Sequence, residues 1–89
     1  MAVMVTMTLK TDAATYQAMH GQLLPMAKQA GMLFHSGHEA EGGVALVDFW
    51  PSADAFQRFM EGPAGEAMQA AGMEPPDDIA ITEVLTADS

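Results

Sequence analysis

The chain has 89 residues, about half of them apolar, no cysteine, and a net charge of −9 at pH 7. A domain of this length buries only roughly 60–65% of its unfolded surface, so it is marginal alone and gains from association. The absence of cysteine excludes disulfide and thiolate chemistry, and with only Lys10, Lys28 and Arg58 as fixed cations the chain lacks the basic footprint of a nucleic-acid or anionic-membrane binder.

Residues 2–9, AVMVTMTL, set Val3, Val5, Met7 and Leu9 against Met4, Thr6 and Thr8. That alternation predicts a strand with one strongly apolar face. No basic region precedes this stretch, so it does not read as a signal peptide, and a cytoplasmic location is expected. Nowhere does the chain approach the ~20 consecutive apolar residues of a membrane helix. Thr11 or Asp12 can cap the helix predicted over 13–30. Its apolar stripe runs Tyr16, Met19, Leu23, Met26 or Ala27, and Ala30. Gly21 and Pro25 weaken its interior, and Gly31 suits the position just past its end.

Residues 32–38 and 44–50 predict a hairpin around Glu39–Gly43. Leu33, His35 and Gly37 share one face of its first strand, and Val44, Leu46, Asp48 and Trp50 share one face of its second. If Glu41 and Gly42 are the central turn residues, His35 lies opposite Asp48 and Leu33 opposite Trp50. A two-residue slip would keep the faces and change the partners. Pro51 ends the strand, Ser52 caps the next helix, and Phe56, Phe59 and Met60 form that helix's stripe. Gly62-Pro63 interrupts it. An alanine-rich helix resumes over 64–71 with Ala67, Met68 and Ala71 inward, and Gly72 closes it. After the stiff Pro75-Pro76 link, Ile79, Ile81, Val84 and Leu85 predict a last strand, with fraying over 86–89.

The order is βαββαβ within a single domain spanning 1–89. Two right-handed β-α-β crossovers interlock into a ferredoxin-like α+β fold, a four-stranded antiparallel sheet with both helices on one face. The other face is partly apolar and uncovered, so a second copy of the chain is the expected cover and a homodimer the expected state. An anionic substrate finds few partners in so acidic a chain. A neutral or phenolic, largely apolar small molecule fits better.

The run Val47-Asp48-Phe49-Trp50-Pro51-Ser52, followed by Ala55-Phe56 and Phe59, carries a resemblance. With Gly62-Pro63, Ala70-Ala71-Gly72 and the Pro-rich link into a final strand, it resembles the dimeric α+β barrel proteins of the antibiotic biosynthesis monooxygenase type over essentially the whole chain. The resemblance implies the fold and dimerisation. It leaves the activity open, because that scaffold carries cofactor-free monooxygenases, haem-degrading enzymes, polyketide cyclases, chlorite-dismutase-like proteins and members with no known reaction. Haem-degrading relatives use an Asn with a Trp and a His, and this chain has no Asn. Monooxygenase relatives often place an Asn and an Arg beside the Trp, whereas Arg58 falls on the outward side of its helix. Trp50 carries over by its position in the motif, and His35 more loosely.

His35 and Asp48 form the sharpest constellation. A carboxylate beside an imidazole fixes its tautomer and raises its basicity, and such a base could take a proton from a phenol or an acidic methylene. The structural alternative is a buried strand carboxylate satisfied by His35 or by backbone donors. Trp50 would wall an aromatic-ligand site, or else pack at the dimer seam. Tyr16 and His20, at i and i+4, would supply a phenol donor and a second base, or simply pack. Phe34 is a further ligand-contact candidate. His35-x-x-His38 on a strand points to opposite faces and is no metal signature, so no metal or other cofactor is expected. The methionines read as core filler. Glu39, Glu41, Glu61, Glu66, Glu74, Asp77, Asp78, Glu83 and Asp88 read as a solvated acidic surface.

Two classes of function follow. One is an enzyme that deprotonates an aromatic or polyketide-like ligand and then either lets the electron-rich anion react with O2, as a cofactor-independent monooxygenase, or lets the carbanion attack an internal carbonyl, as a cyclase. The other is a non-catalytic ligand-binding or accessory dimer.

Overall fold

Alternation builds β1 (Val3–Leu9), in which Val3, Val5, Met7 and Leu9 are buried and Met4, Thr6 and Thr8 half-buried. Asp12, not Thr11, caps α1 (Ala13–Gln29), its Oδ1 accepting the Thr15 N–H at 2.7 Å. That donor holds the Asp12 carboxyl below its ordinary value. Pro25 lies inside α1 without ending it, and Gly31, at φ 108°, stands just past the Ala30 cap. Met19 and Ala27 are the buried residues of α1, with Tyr16 and Leu23 half-buried. Met26 and Ala30 are exposed, so Ala27 is the inward residue of its turn and the stripe ends there.

The hairpin is tighter than the loop expected over Glu39–Gly43. β2 (Phe34–Ala40) and β3 (Gly43–Trp50) leave only Glu41 and Gly42 between them. Ala40 pairs with Gly43, which fixes His35 opposite Asp48. The ladder begins at Phe34, and the Leu33 N–H still donates to the Phe49 carbonyl at 2.7 Å. Gly43 sits at φ 151° directly against β1: a Cβ there would lie 1.9 Å from the Leu9 carbonyl oxygen.

Ser52 caps α2 (Ala53–Glu61), its Oγ accepting from the Ala55 N–H at 3.1 Å, and Phe56 and Phe59 are buried. Gly62 separates it from α3 (Pro63–Ala70), which Pro63 opens and whose buried residues are Ala64 and Met68. Ala67 is half-buried and Ala71, expected inward, is exposed because the helix has ended at Ala70. The last strand, β4 (Ala80–Glu83), is short and exposed throughout. The structure, a computed structural model, describes residues 1–87, so the fraying expected at 88 and 89 lies outside the described residues.

The sheet runs β2-β3-β1-β4 with every neighbouring pair antiparallel. This is the ferredoxin-like α+β arrangement, with the second helix broken in two at Gly62. The helix-facing side of the two central strands is buried, from Val3, Val5, Met7 and Leu9 to Val44, Leu46 and Trp50. The one buried charged residue among those described, Asp48, lies on this same side. The opposite side presents Met4, Val47 and Phe49, half-buried, and Phe34, 47% exposed. Among the described residues, no helix is long and apolar enough to cross a membrane.

Gly43→Ala therefore forces β3 away from β1 at the hairpin's root. Urea unfolding should show a loss of about 2 kcal/mol or more, within the range for strain at a special backbone position. An unchanged midpoint would contradict the close approach.

Candidate active site

Asp48 is inward on β3, two residues before Trp50, so the two side chains are neighbours on one face. The indole Nε1–H of Trp50 donates to Asp48 Oδ2 at 3.3 Å. The other carboxylate oxygen, Oδ1, meets His35 Nδ1 at 2.5 Å from the paired position on β2. A carboxylate accepts, so Nδ1 carries the proton, and Nε2 of the neutral ring is left as an acceptor. That nitrogen is hydrogen-bonded to the Tyr16 hydroxyl, which α1 brings over the sheet. The result is a continuous relay from Tyr16 through His35 to Asp48, anchored by Trp50. No buried side-chain nitrogen or oxygen among the described residues lacks a partner.

Burial, and secondarily the negative charge of Asp48, raise the Tyr16 phenol above its ordinary value, so it keeps its proton and donates. His20, one turn along α1, stacks on His35 with ring centroids 5.0 Å apart and lies 5.7 Å from the Tyr16 ring. Its pKa is lowered by burial first and by His35 second, against a smaller upward pull from Asp48. His20 is thus held toward the neutral form, as a ring rather than as a charge.

These groups border a cleft of about 80 Å³ between the sheet and α1 and α3. Apart from Tyr16, His20, His35 and Asp48 its lining is apolar, and it includes Met7, Met19, Met32, Met60 and Met68. Thioethers are adaptable, so the cleft can reshape around a ring. Among the described residues, no group of three or more His, Cys, Asp or Glu is placed to hold a metal ion.

The structure brings Tyr16, His20, His35 and Asp48 together at the cleft. Trp50 is elsewhere: it is fully buried and packs against Phe56 and Phe59 at centroid distances of 5.9 and 5.4 Å. It stands behind Asp48, because its indole N–H turns toward the carboxylate and its ring fills the core, so it does not wall the cleft. Phe34 also fails to reach the relay. Next to His35 on a strand it points to the other face, where its ring meets Phe49 edge-on at 5.9 Å.

Sequence reasoning missed Gly37. A Cβ at Gly37 would lie 2.7 Å from the Tyr16 hydroxyl, so the glycine makes the room that hydroxyl occupies. Its signal was present: Gly37 shares the face of His35, two residues on. The methionines read as core filler include five that line the cleft.

The fold is a ferredoxin-like α+β arrangement shared with solved proteins that include some classed as antibiotic biosynthesis monooxygenases. No protein-family model matches the chain, and no curated protein matches it in sequence. Solved structures do match in fold. A protein of unknown function from Nitrosomonas europaea superposes with a TM-score of 0.65 at 22% identity, over 99% of this chain and 91% of that one. SnoaB, a cofactor-independent oxygenase from Streptomyces nogalater, matches at 0.62 and 13% identity, over 97% and 93%. A Deinococcus radiodurans protein provisionally classed as an antibiotic biosynthesis monooxygenase matches at 0.58 and 18% identity, over 100% and 97%.

The lowered His20 pKa has a consequence for stability. Below the ordinary imidazole value of about 6.5 the unfolded chain takes up a proton that folded His20 resists, so stability falls as pH drops from there, and above it both states are neutral. His20→Gln should flatten this part of the pH profile in urea unfolding between pH 7.5 and 5.5. An NMR titration of His20 above 6.5 would contradict it.

Proposed function

We propose that this protein is a homodimer, acting in the cytoplasm, that binds a small apolar aromatic or polyketide-like phenol beside Tyr16 and His35 and oxidises it as a cofactor-independent monooxygenase. The observation that carries this reading is the Tyr16–His35–Asp48 relay opening onto an otherwise apolar cleft. The likeness to a cofactor-independent oxygenase supports it at the level of fold.

The ligand's acidic proton passes to His35 Nε2, the ligand hydroxyl taking the position held by the Tyr16 hydroxyl or using it as a bridge. Asp48 stabilises the imidazolium, and Trp50 keeps the carboxylate aimed. The apolar lining excludes water, and His20 kept neutral adds no competing cation. The deprotonated ring is electron-rich and donates to O2. At a ring methylene the balance is CH2 + O2 → C=O + H2O, with both electrons pairs drawn from the substrate. Tyr16, a phenol held in its neutral form, can donate to the oxygen on which charge develops.

Two features support the homodimer. A chain this small is marginal alone, and the sheet face away from the helices carries Phe34, Phe49, Val47 and Met4 without cover from its own chain.

With an anthrone as probe, wild-type protein should consume O2 and place one 18O atom in the quinone. His35→Ala should lower turnover by 100-fold or more, the usual scale of general-base loss, with little change in ligand affinity. Ligand turnover without O2 uptake would replace the oxygenase by a cyclase, and binding without turnover would replace it by a carrier. Sedimentation at micromolar concentration should give a dimer, and Phe49→Glu should give a monomer. A wild-type monomer would overturn the assembly.

A further inference from the structure

The cleft at His35 continues outward. A second, more open cleft of about 250 Å³ shares His20, Leu24, Met32 and His35 with it and is bordered further out by Lys28, Leu33 and Phe34. Ligand sites commonly span ~300–1,000 Å³. The inner cleft alone, at about 80 Å³, is well below that range, and the two together reach its lower end. A ligand of useful size therefore extends from one into the other.

α1 sets what it meets there. His20, Leu24 and Lys28 are spaced i, i+4 and i+8, one row along the helix, with ~12 Å between the first and last at 1.5 Å per residue. Helical side chains lean toward the N-terminus of their helix, so Lys28 reaches back over Leu24 toward the ring space. Among the described residues, Lys28 is the only Lys, Arg, Asp or Glu bordering the outer cleft. Among the described residues it makes no ion pair. Lys10, by contrast, is engaged by Asp77 at 3.3 Å and Glu74 at 3.6 Å, and Arg58 donates to the Asp54 carbonyl. The overall charge of −9 disfavours anions at long range, but salt screens that field beyond about 8–10 Å, and at the mouth the local charge is the Lys28 ammonium, the Asp48 carboxylate being engaged by His35 and Trp50.

We propose that the ligand is a phenol of about two fused rings with a carboxylate on the ring remote from its hydroxyl. The hydroxyl lies at Tyr16 and His35 in the inner cleft, the rings run from there into the outer cleft, and the carboxylate meets the Lys28 ammonium at the mouth. This rests on the phenol-site reading above and adds the substituent that selects the ligand. A purely structural Lys28 would only complement the C-terminal end of α1, where a cation is favourable, and would not discriminate between ligands.

The test is calorimetric titration with 6-hydroxy-2-naphthoate and with 2-naphthol, which differ only in the carboxylate. Wild-type protein should bind the naphthoate about five-fold tighter at low salt, the upper scale for a solvent-accessible ion pair. The gain should shrink at high salt. Lys28→Met should bring the naphthoate to the level of the naphthol, and Lys28→Arg should keep the preference. If 2-naphthol binds and the carboxylate adds nothing, or if the preference survives in Lys28→Met, this inference falls and the phenol site stands. If neither compound binds, both fall.

Discussion

The Asp48 carboxylate is the constraint around which the rest of this structure is arranged. It lies on the buried side of β3, one of the two central strands, with no lysine or arginine beside it, where an unpaired charge would cost several kcal/mol. Two donors answer it, one per oxygen: the Trp50 indole from its own strand and the His35 imidazole from the next. Trp50 is held in turn by Phe56 and Phe59 of α2, so the helix that closes the core also fixes the direction in which the carboxylate points. His35 spends its Nδ1 proton on Asp48, and that leaves Nε2 facing α1 and the cleft. Stability and chemistry thus share one set of hydrogen bonds. A change at Trp50 would reach the imidazole without touching any ligand.

The division of labour between the two faces of the sheet follows from strand alternation. On β2, His35 looks toward the helices and Phe34 away from them, so adjacent residues serve a polar relay and an apolar outer surface. β3 repeats the pattern with Asp48 and Phe49. The outer side leaves apolar side chains without cover from their own chain, and the inner side holds the hydrogen-bonded relay among apolar neighbours.

Much of this was legible in the chain. The faces of the two hairpin strands followed from their period-two alternation, and the His35–Asp48 pair was one of the registers those faces allowed; the two-residue Glu41-Gly42 turn selects it. Tyr16 and His20 were recognisable as a pair one helical turn apart. Trp50 was harder, because a tryptophan at a strand end has the same signature whether it faces a ligand or the core. Its role depends on where the indole N–H finds an acceptor, and the answer lay two residues away on the same face. Ala27 and Met26 were interchangeable by periodicity, and only the three-dimensional fit of α1 on the sheet separates them. Gly37 carries no side chain to announce itself; its importance is the volume it leaves for a hydroxyl from another element.

The five methionines around the cleft bear on durability as well as shape. If O2 is activated here, partly reduced oxygen is generated within contact distance of thioethers, among the side chains most readily oxidised. A sulfoxide in this lining would be polar and bulkier than the thioether it replaces, and would close the space to an apolar ring. Any turnover that leaked peroxide would therefore inscribe itself on the cleft, and the working life of each molecule would be set by how completely its substrate keeps the oxygen it captures.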